Sequence, residues 1–283
     1  MKLRPQISLL VPFRPNSATP HRTRIWEWLK EYWSYELPDA EIVIGHSTSA
    51  AFSKTEAVND AASRAAGRIF VILDSDAYVR GESILRCARA IEEAARRGHK
   101  LWFIPYRHLY RLTEASTEMV LTSEPRTPYR FTSPPALDEV ESTVGSMHGH
   151  HFGAMIQIMP REAFETVGCM DPRFQGWGGE DVAFLRALDT LYAKHKTLKA
   201  DVLHLWHPSI GSSVTDRMWE GQQTPGTNAN LASRYNRATG DRAKMRALVD
   251  EGCAQTNCSC RCWHNWRFVW FLQLLLRIFY SLV

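Results

Sequence analysis

Arg68-Ile69-Phe70-Val71-Ile72-Leu73-Asp74-Ser75-Asp76 places five apolar residues directly before two carboxylates one residue apart. A short, uninterrupted apolar run reads as a strand buried on both faces, the kind found inside a parallel sheet. Asp74 and Asp76 then lie where that strand ends, in the crevice where open α/β sheets bind ligands. Two acidic groups this close repel each other unless a cation lies between them. The stretch therefore implies a divalent metal ion with a phosphate-bearing ligand on it.

The sequence before and after it alternates strand and helix. Ile7-Ser8-Leu9-Leu10-Val11-Pro12-Phe13-Arg14 reads as a first strand running into a loop at the same sheet edge, where Arg14 is either a phosphate clamp or an ordinary surface arginine. Arg22 to Trp33 carries Trp26, Leu29, Tyr32 and Trp33 at helical spacing, which predicts a covering helix. Glu41 to Gly45 is a second short strand, Phe52 to Ala66 a helix ended by Gly67, Glu82 to Arg97 another helix, and Leu101 to Pro105 a further buried strand. This order predicts a central, mostly parallel sheet with right-handed crossovers and helices on its faces.

Bulk composition agrees with that class. The chain has 283 residues, 45% of them apolar and 23% charged, enough for one large domain or two small ones with a sizeable core. A net charge of +4 suits an anionic small ligand, and without a long basic run no nucleic-acid partner is expected. Met1-Lys2-Leu3-Arg4-Pro5 lacks the apolar core of a signal peptide, so the expected location is the cytoplasm.

Tyr106 to Gly149 holds Pro125, Pro128, Pro134 and Pro135 with little periodicity. It reads as a long excursion available for acceptor contacts. His148, His150 and His151 at its end suit a polar pocket rim better than a tetrahedral metal site. Phe152 to Met159 predicts a strand, and Pro160 to Val167 a short helix with proline in its first turn.

A second constellation follows in Gly176-Trp177-Gly178-Gly179-Glu180-Asp181. Glycines permit backbone angles and close approaches that other residues forbid. Two carboxylates then open a helix over Val182 to His195, where the dipole favours their ionised forms. An ionised carboxylate in a pocket can serve as a general base. Beyond it, Ala200 to Pro208 predicts a strand entering a loop. Strand alternation sends His204 and His207 to opposite faces unless the strand has already ended, so only one is expected at the site, His207 at the loop end. Gly211 to Asn230 is a polar loop, and Asn230 to Asp250 a helix.

Together these residues resemble a nucleotide-sugar glycosyltransferase of the GT-A type, in the branch of β1,4-galactosyltransferases, chondroitin polymerases and polypeptide N-acetylgalactosaminyltransferases. Asp74-Ser75-Asp76 matches the DxD motif and Gly176 to Asp181 the GWGGED signature. Pro12-Phe13-Arg14 looks like the uridine-nucleotide loop, and Phe52-Ser53-Lys54, with Asn59 further along its helix, like the second nucleotide-contacting segment. The resemblance spans about residues 7 to 240.

It implies an α/β, GT-A nucleotide-diphospho-sugar transferase fold. A glycosyltransferase domain would cover 1–250, with a nucleotide-sugar half over about 1–105 and an acceptor half over about 150–250, and a tail 251–283. It further implies a UDP-sugar donor and Mn2+ or Mg2+ held by Asp76 and His207, with Asp74 on the nucleotide or in the metal site. Pro12, Phe13, Arg14, Phe52, Lys54, Ser75, Trp177 and Gly178 would line the donor site. Asp181 would be the base of an inverting transfer, because the retaining relatives carry Asn there, and Glu180 would orient the acceptor. Galactose or N-acetylgalactosamine is favoured, and the acceptor is a glycan, a lipid-linked sugar or a protein. A nucleotidyltransferase and a non-catalytic carbohydrate-binding protein are the competing classes; neither requires both acidic motifs. Cys253, Cys258, Cys260 and Cys262 are either zinc ligands or free thiols. The apolar run Phe268 to Val283 is short for a spanning helix and suits either a packed helix or a peripheral contact with the inner face of the membrane.

Overall fold

The apolar run Ile69–Leu73 is a strand with every residue buried, and the main sheet grows outward from it. The structure, a computed structural model, describes residues 6–15, 20–49, 52–144, 155–176, 178–208 and 228–255. Trp177, the histidines at 148, 150 and 151, the polar loop over 211–227 and the tail from 256 onward, with Cys258, Cys260 and Cys262, lie outside the described residues.

In chain order the elements are β1 (Ile7–Pro12), α1 (Pro20–Glu36), β2 (Glu41–Gly45), α2 (Lys54–Arg64), β3 (Ile69–Leu73), β4 (Ala77–Tyr78), α3 (Gly81–Arg96), β5 (Phe103–Ile104) and β6 (His108–Leu112). There follow α4 (Glu114–Leu121), β7 (Val140–Val144), β8 (Ile156–Pro160), α5 (Arg161–Thr166), α6 (Glu180–Leu191), β9 (Lys196–Thr197), β10 (Asp201–His204), α7 (Asn228–Ala238) and α8 (Arg242–Gln255). Six strands form the main sheet in the order β2-β1-β3-β8-β5-β9. β1 pairs in parallel with β2 and β3, and β5 with β9. β8 runs antiparallel to both its neighbours, so the other five strands share one direction. The molecule is thus mixed α/β, with a mostly parallel central sheet flanked by helices.

Side-chain size explains how the layers meet. A Cβ at Gly45 would lie 1.8 Å from the Ala57 carbonyl oxygen, so only glycine lets α2 pack so close over the end of β2. Phe70 meets Phe164 edge-on at 5.6 Å between ring centres, and Phe164 meets Phe184 at the same distance, which ties β3 to α5 and α6.

Three expectations from the sequence need correction. Tyr106 to Gly149 is no structureless excursion: β6, α4 and β7 lie within it, and with β4 and β10 the two strands make a second, four-stranded sheet in the order β4-β10-β6-β7. These elements are too short for apolar periodicity to register, but Thr113 caps α4 by accepting from the Ser116 amide at 3.2 Å. The expected helix over 230–250 is two helices, broken where Gly240 adopts a φ of 80°. The helix after the glycine run starts two residues earlier than expected and stops at Leu191, and His195 beyond it pairs with Asp189 at 2.9 Å. Among the described residues no helix is long and apolar enough to cross a membrane.

Candidate active site

β3 delivers its two carboxylates to different partners because the chain turns between them. The Asp74 amide donates to the Met155 carbonyl at 3.0 Å, which prolongs the β3–β8 pairing by one residue. After the turn, β4 pairs antiparallel with β10, matching Ala77 with His204, and the Leu205 amide donates to the Asp76 carbonyl at 2.8 Å. Asp76 is thereby set against the end of β10. His204 Nε2 lies 3.7 Å from Asp76 Oδ1, and His207 Nε2 lies 3.3 Å from Asp76 Oδ2. One ligand atom from each of the three residues lies within 4.8 Å of the other two.

Both histidines therefore join the cluster, where alternation predicts one. β10 ends at His204, so the period-two rule no longer governs His207. The insert holds this segment in place: Thr117 of α4 accepts from the Trp206 amide at 2.7 Å, and β6 pairs with β10 over four residues. His207 Nδ1 faces the Pro208 carbonyl at 3.1 Å. A carbonyl only accepts, so Nδ1 carries a proton and Nε2 is the ring nitrogen that faces the cluster. Burial pushes the His204 imidazole down to about 4 against the pull of Asp76, so it is neutral near pH 7. Asp76 is buried, which works against ionisation, but His204, His207 and Arg22 outweigh that effect and hold it well below the usual carboxylate range.

The second acidic motif reaches the first through Lys54. Gly176, Gly178 and Gly179 have φ of 69°, 106° and 88°, and this left-handed path swings the chain into α6. Glu180 turns back to accept from the Gly178 amide at 2.8 Å, satisfying one donor at the helix start. Lys54 Nζ, on a side chain only 11% exposed, lies 2.5 Å from Asp74 Oδ1 and 2.8 Å from Asp181 Oδ2. One ammonium thus joins the two motifs. Burial pushes Asp181 up to about 6, with Lys54 opposing and Glu180 adding to the rise. Burial likewise pushes Asp74 up to about 7 against Lys54. Lys54 stays charged despite its burial because Asp181, Asp74 and Glu180 surround it. Asp181 Oδ1 is buried and has no hydrogen-bond partner among the described residues.

Helix α2 supports this junction from below. Ser53 caps it and donates to the Phe174 carbonyl at 3.1 Å, while Asn59 donates to the Met170 carbonyl at 2.8 Å and accepts from the Met170 amide at 3.0 Å. Asn59 is thus committed to the turn ahead of the glycines. Arg173 locks that turn to α8, pairing with Asp171 at 2.6 Å and Glu251 at 2.7 Å.

The remaining described residues singled out from the sequence sit at the end of β1, on the approach to α2 and in the turn after β3. Pro12 ends β1 opposite Gly45. The Arg14 guanidinium packs over the Phe52 ring at 5.4 Å and donates to the Ser49 carbonyl at 2.9 Å. Phe13 and Arg14 line a cleft of about 650 Å³ together with His46, Ser47 and Arg64. Ser75 is buried between the two carboxylates.

Two members of the site escape the sequence reading. His204 is one, for the reason given. Arg22, at the start of α1, is the other: it donates to Asp76 Oδ2 at 2.7 Å and lies 3.2 Å from His207 Nε2. Nothing in its local sequence separates it from Arg24, which pairs with Glu118 at the surface.

A buried carboxylate with two imidazoles fits a divalent transition ion. A family model described as the N-terminal domain of galactosyltransferase matches residues 143–205. No curated protein sequence matches the chain. Among solved structures, the catalytic domain of Drosophila β1,4-galactosyltransferase 7 in complex with xylobiose is 13% identical over 83% of this chain and 82% of its own, with a TM-score of 0.42. GalNAc-T7 with UDP, GalNAc and Mn2+ is 14% identical over 93% of this chain and 56% of its own, at 0.46. Glucosyl-3-phosphoglycerate synthase from Mycobacterium tuberculosis, with Mn2+, UDP-glucose and phosphoglyceric acid, is 12% identical over 83% and 80%, at 0.44. Over residues 143–205, which carry the second acidic motif and His204, the chain resembles the galactosyltransferases, as its paired motifs imply.

Proposed function

We propose that the chain is a metal-dependent GT-A glycosyltransferase that moves a hexose or N-acetylhexosamine, with galactose or N-acetylgalactosamine favoured, from a UDP-sugar to a hydroxyl acceptor with inversion. The observation that carries this reading is the Lys54 bridge, which brings the carboxylates of both motifs, Asp74 and Asp181, to one ammonium. A carbohydrate-binding module has no need of a buried base beside a metal cluster, and a nucleotidyltransferase has no need of the base.

Asp76, His204 and His207 would hold Mn2+ or Mg2+, which supplies charge neutralisation for the diphosphate. In this reading Phe13, Arg14 and Phe52 wall the nucleotide, and Trp177 and Gly178 belong to the sugar side. Asp181 receives the acceptor proton through Oδ1, the oxygen with no described partner. As the proton leaves, the acceptor oxygen bonds to the anomeric carbon, the bond from that carbon to the β-phosphate oxygen breaks, and UDP departs with the electron pair. A base pushed up to about 6 is matched to this task near neutral pH. Glu180, committed to the start of α6, orients the acceptor. The nucleotide-sugar half over about 1–105 and the acceptor half over about 150–250 meet at Lys54, and the acceptor is a glycan, a lipid-linked sugar or a protein.

The test is incubation with a panel of UDP-sugars and Mn2+, following UDP release. One UDP-sugar hydrolysed slowly without acceptor, and not by Asp181→Asn, supports the reading. Release of pyrophosphate from UTP and a sugar phosphate, with no UDP from any sugar nucleotide, would replace it with nucleotidyl transfer.

A further inference from the structure

Arg22 occupies the ground a metal ion needs. Its Nη2 donates to Asp76 Oδ2 at 2.7 Å and sits 3.2 Å from His207 Nε2, the ring nitrogen that faces the cluster. A divalent ion bound to those two atoms and the guanidinium cannot use them together. The charges compete as well, since both neutralise Asp76. The rest of the guanidinium is only partly committed. Arg22 Nε is buried and has no hydrogen-bond partner among the described residues. A planar fork with one donor on a carboxylate and another unused is the arrangement that a bidentate oxyanion completes.

The geometry points to a dual role: Arg22 is a built-in competitor for the metal cluster that turns to the diphosphate when the ion enters, and it thereby couples metal binding to nucleotide binding. The inference rests on the glycosyltransferase reading and deepens it. Arg22 weakens the ion alone, because the ion must displace a buried charge-assisted hydrogen bond. With a diphosphate present the displaced guanidinium gains a partner, and the same displacement becomes favourable. Metal and nucleotide then strengthen each other's binding by one shared factor, as linkage requires. The side chain is 37% exposed and springs from the first turn of α1, so it can turn without unpacking the helix.

Mn2+ binding, read by the loss of the free-ion electron paramagnetic resonance signal, tests this without any acceptor. Wild type, Arg22→Gln and Arg22→Lys are titrated with Mn2+ alone and with Mn2+ plus UDP. Arg22→Gln should bind Mn2+ alone about tenfold tighter than wild type, the equivalent of one charge-assisted hydrogen bond, while UDP enhances its Mn2+ affinity about tenfold less. Arg22→Lys keeps the charge and should keep the weak binding of Mn2+ alone, which separates competition from a general disturbance of the fold. Unchanged or weaker Mn2+ binding by Arg22→Gln in the absence of UDP overturns the inference and leaves the glycosyltransferase reading intact. Wild type that takes up no Mn2+ with or without UDP overturns both.

Discussion

Lys54→Met tests the junction on which the site depends. The substitution keeps an unbranched apolar stem of similar length and deletes the ammonium that lies 2.5 Å from Asp74 and 2.8 Å from Asp181. Breaking a buried ion pair by removing one partner costs ~3–5 kcal/mol, because the remaining charge is left uncompensated. Here two carboxylates lose the same partner, with Glu180 adding to the repulsion around Asp181. They can escape by taking up protons, which makes the cost depend on pH.

Burial already pushes Asp74 up to about 7 and Asp181 up to about 6, with Lys54 opposing both rises, so both climb further when Lys54 is gone. A carboxylate whose folded pKa exceeds its unfolded value of about 3.9 weakens folding as pH rises from the lower value to the higher, by ~1.4 kcal/mol per unit. In the variant that loss continues past the pH at which it stops in wild type. Lys54 itself has a raised pKa, so its own contribution is fully present below its unfolded value of about 10.4 and does not vary through neutral pH. Urea unfolding in EDTA should therefore show a deficit of ~1 kcal/mol near pH 5, where wild type has already protonated most of the pair, and ~3–5 kcal/mol near pH 8. A deficit equal at both pH values, or below ~1 kcal/mol near pH 8, would refute the claim that this ammonium is the counter-charge of the buried acids.

Two further predictions bear on the proposed chemistry. Asp181→Asn should lower turnover by roughly 10²–10⁴-fold while leaving UDP and Mn2+ affinity within a few-fold of wild type; because the base must be ionised, wild-type kcat/KM should fall as pH drops through about 6. A wild-type profile flat from pH 5 to 8 would exclude a base of that pKa. His204→Ala and His207→Ala should each weaken Mn2+ binding in the presence of UDP by at least roughly tenfold, since even outer-shell partners of metal ligands carry that much. If His204→Ala leaves Mn2+ affinity unchanged in a calorimetric titration, the three-residue cluster reduces to Asp76 and His207.

The site was legible in sequence where a residue's chemistry and its local pattern coincide, and illegible where pairing between distant strands decides. Asp74, Asp76, Glu180 and Asp181 could be found because each sits at the edge of an apolar or glycine-rich run whose own backbone preference ends there. The buried face of β3 and the positive φ at Gly176, Gly178 and Gly179 are local consequences of residue type. The orientation of β8 is not, since alternation is the same in a parallel and an antiparallel strand. His204 went unread for a related reason: its place at Asp76 follows from β4 pairing antiparallel with β10, and β4 is only two residues long. The 106–149 segment hid its role because its β6 matters as a neighbour of β10 and its α4 as a hydroxyl under Trp206. Arg22 and Lys54 make the same point for charge. Both are ordinary basic residues at helix starts, and only the tertiary fold makes them the cations that face Asp76 and bridge Asp74 to Asp181. Acids at strand ends mark where such a pocket lies, whereas the bases that set its electrostatics arrive from elements whose local patterns serve packing. Lys54 was legible as a donor-site residue but its bridge between the two motifs was not, Arg22 was not legible at all, and these two are where substitution will discriminate most sharply between a working site and a resemblance to one.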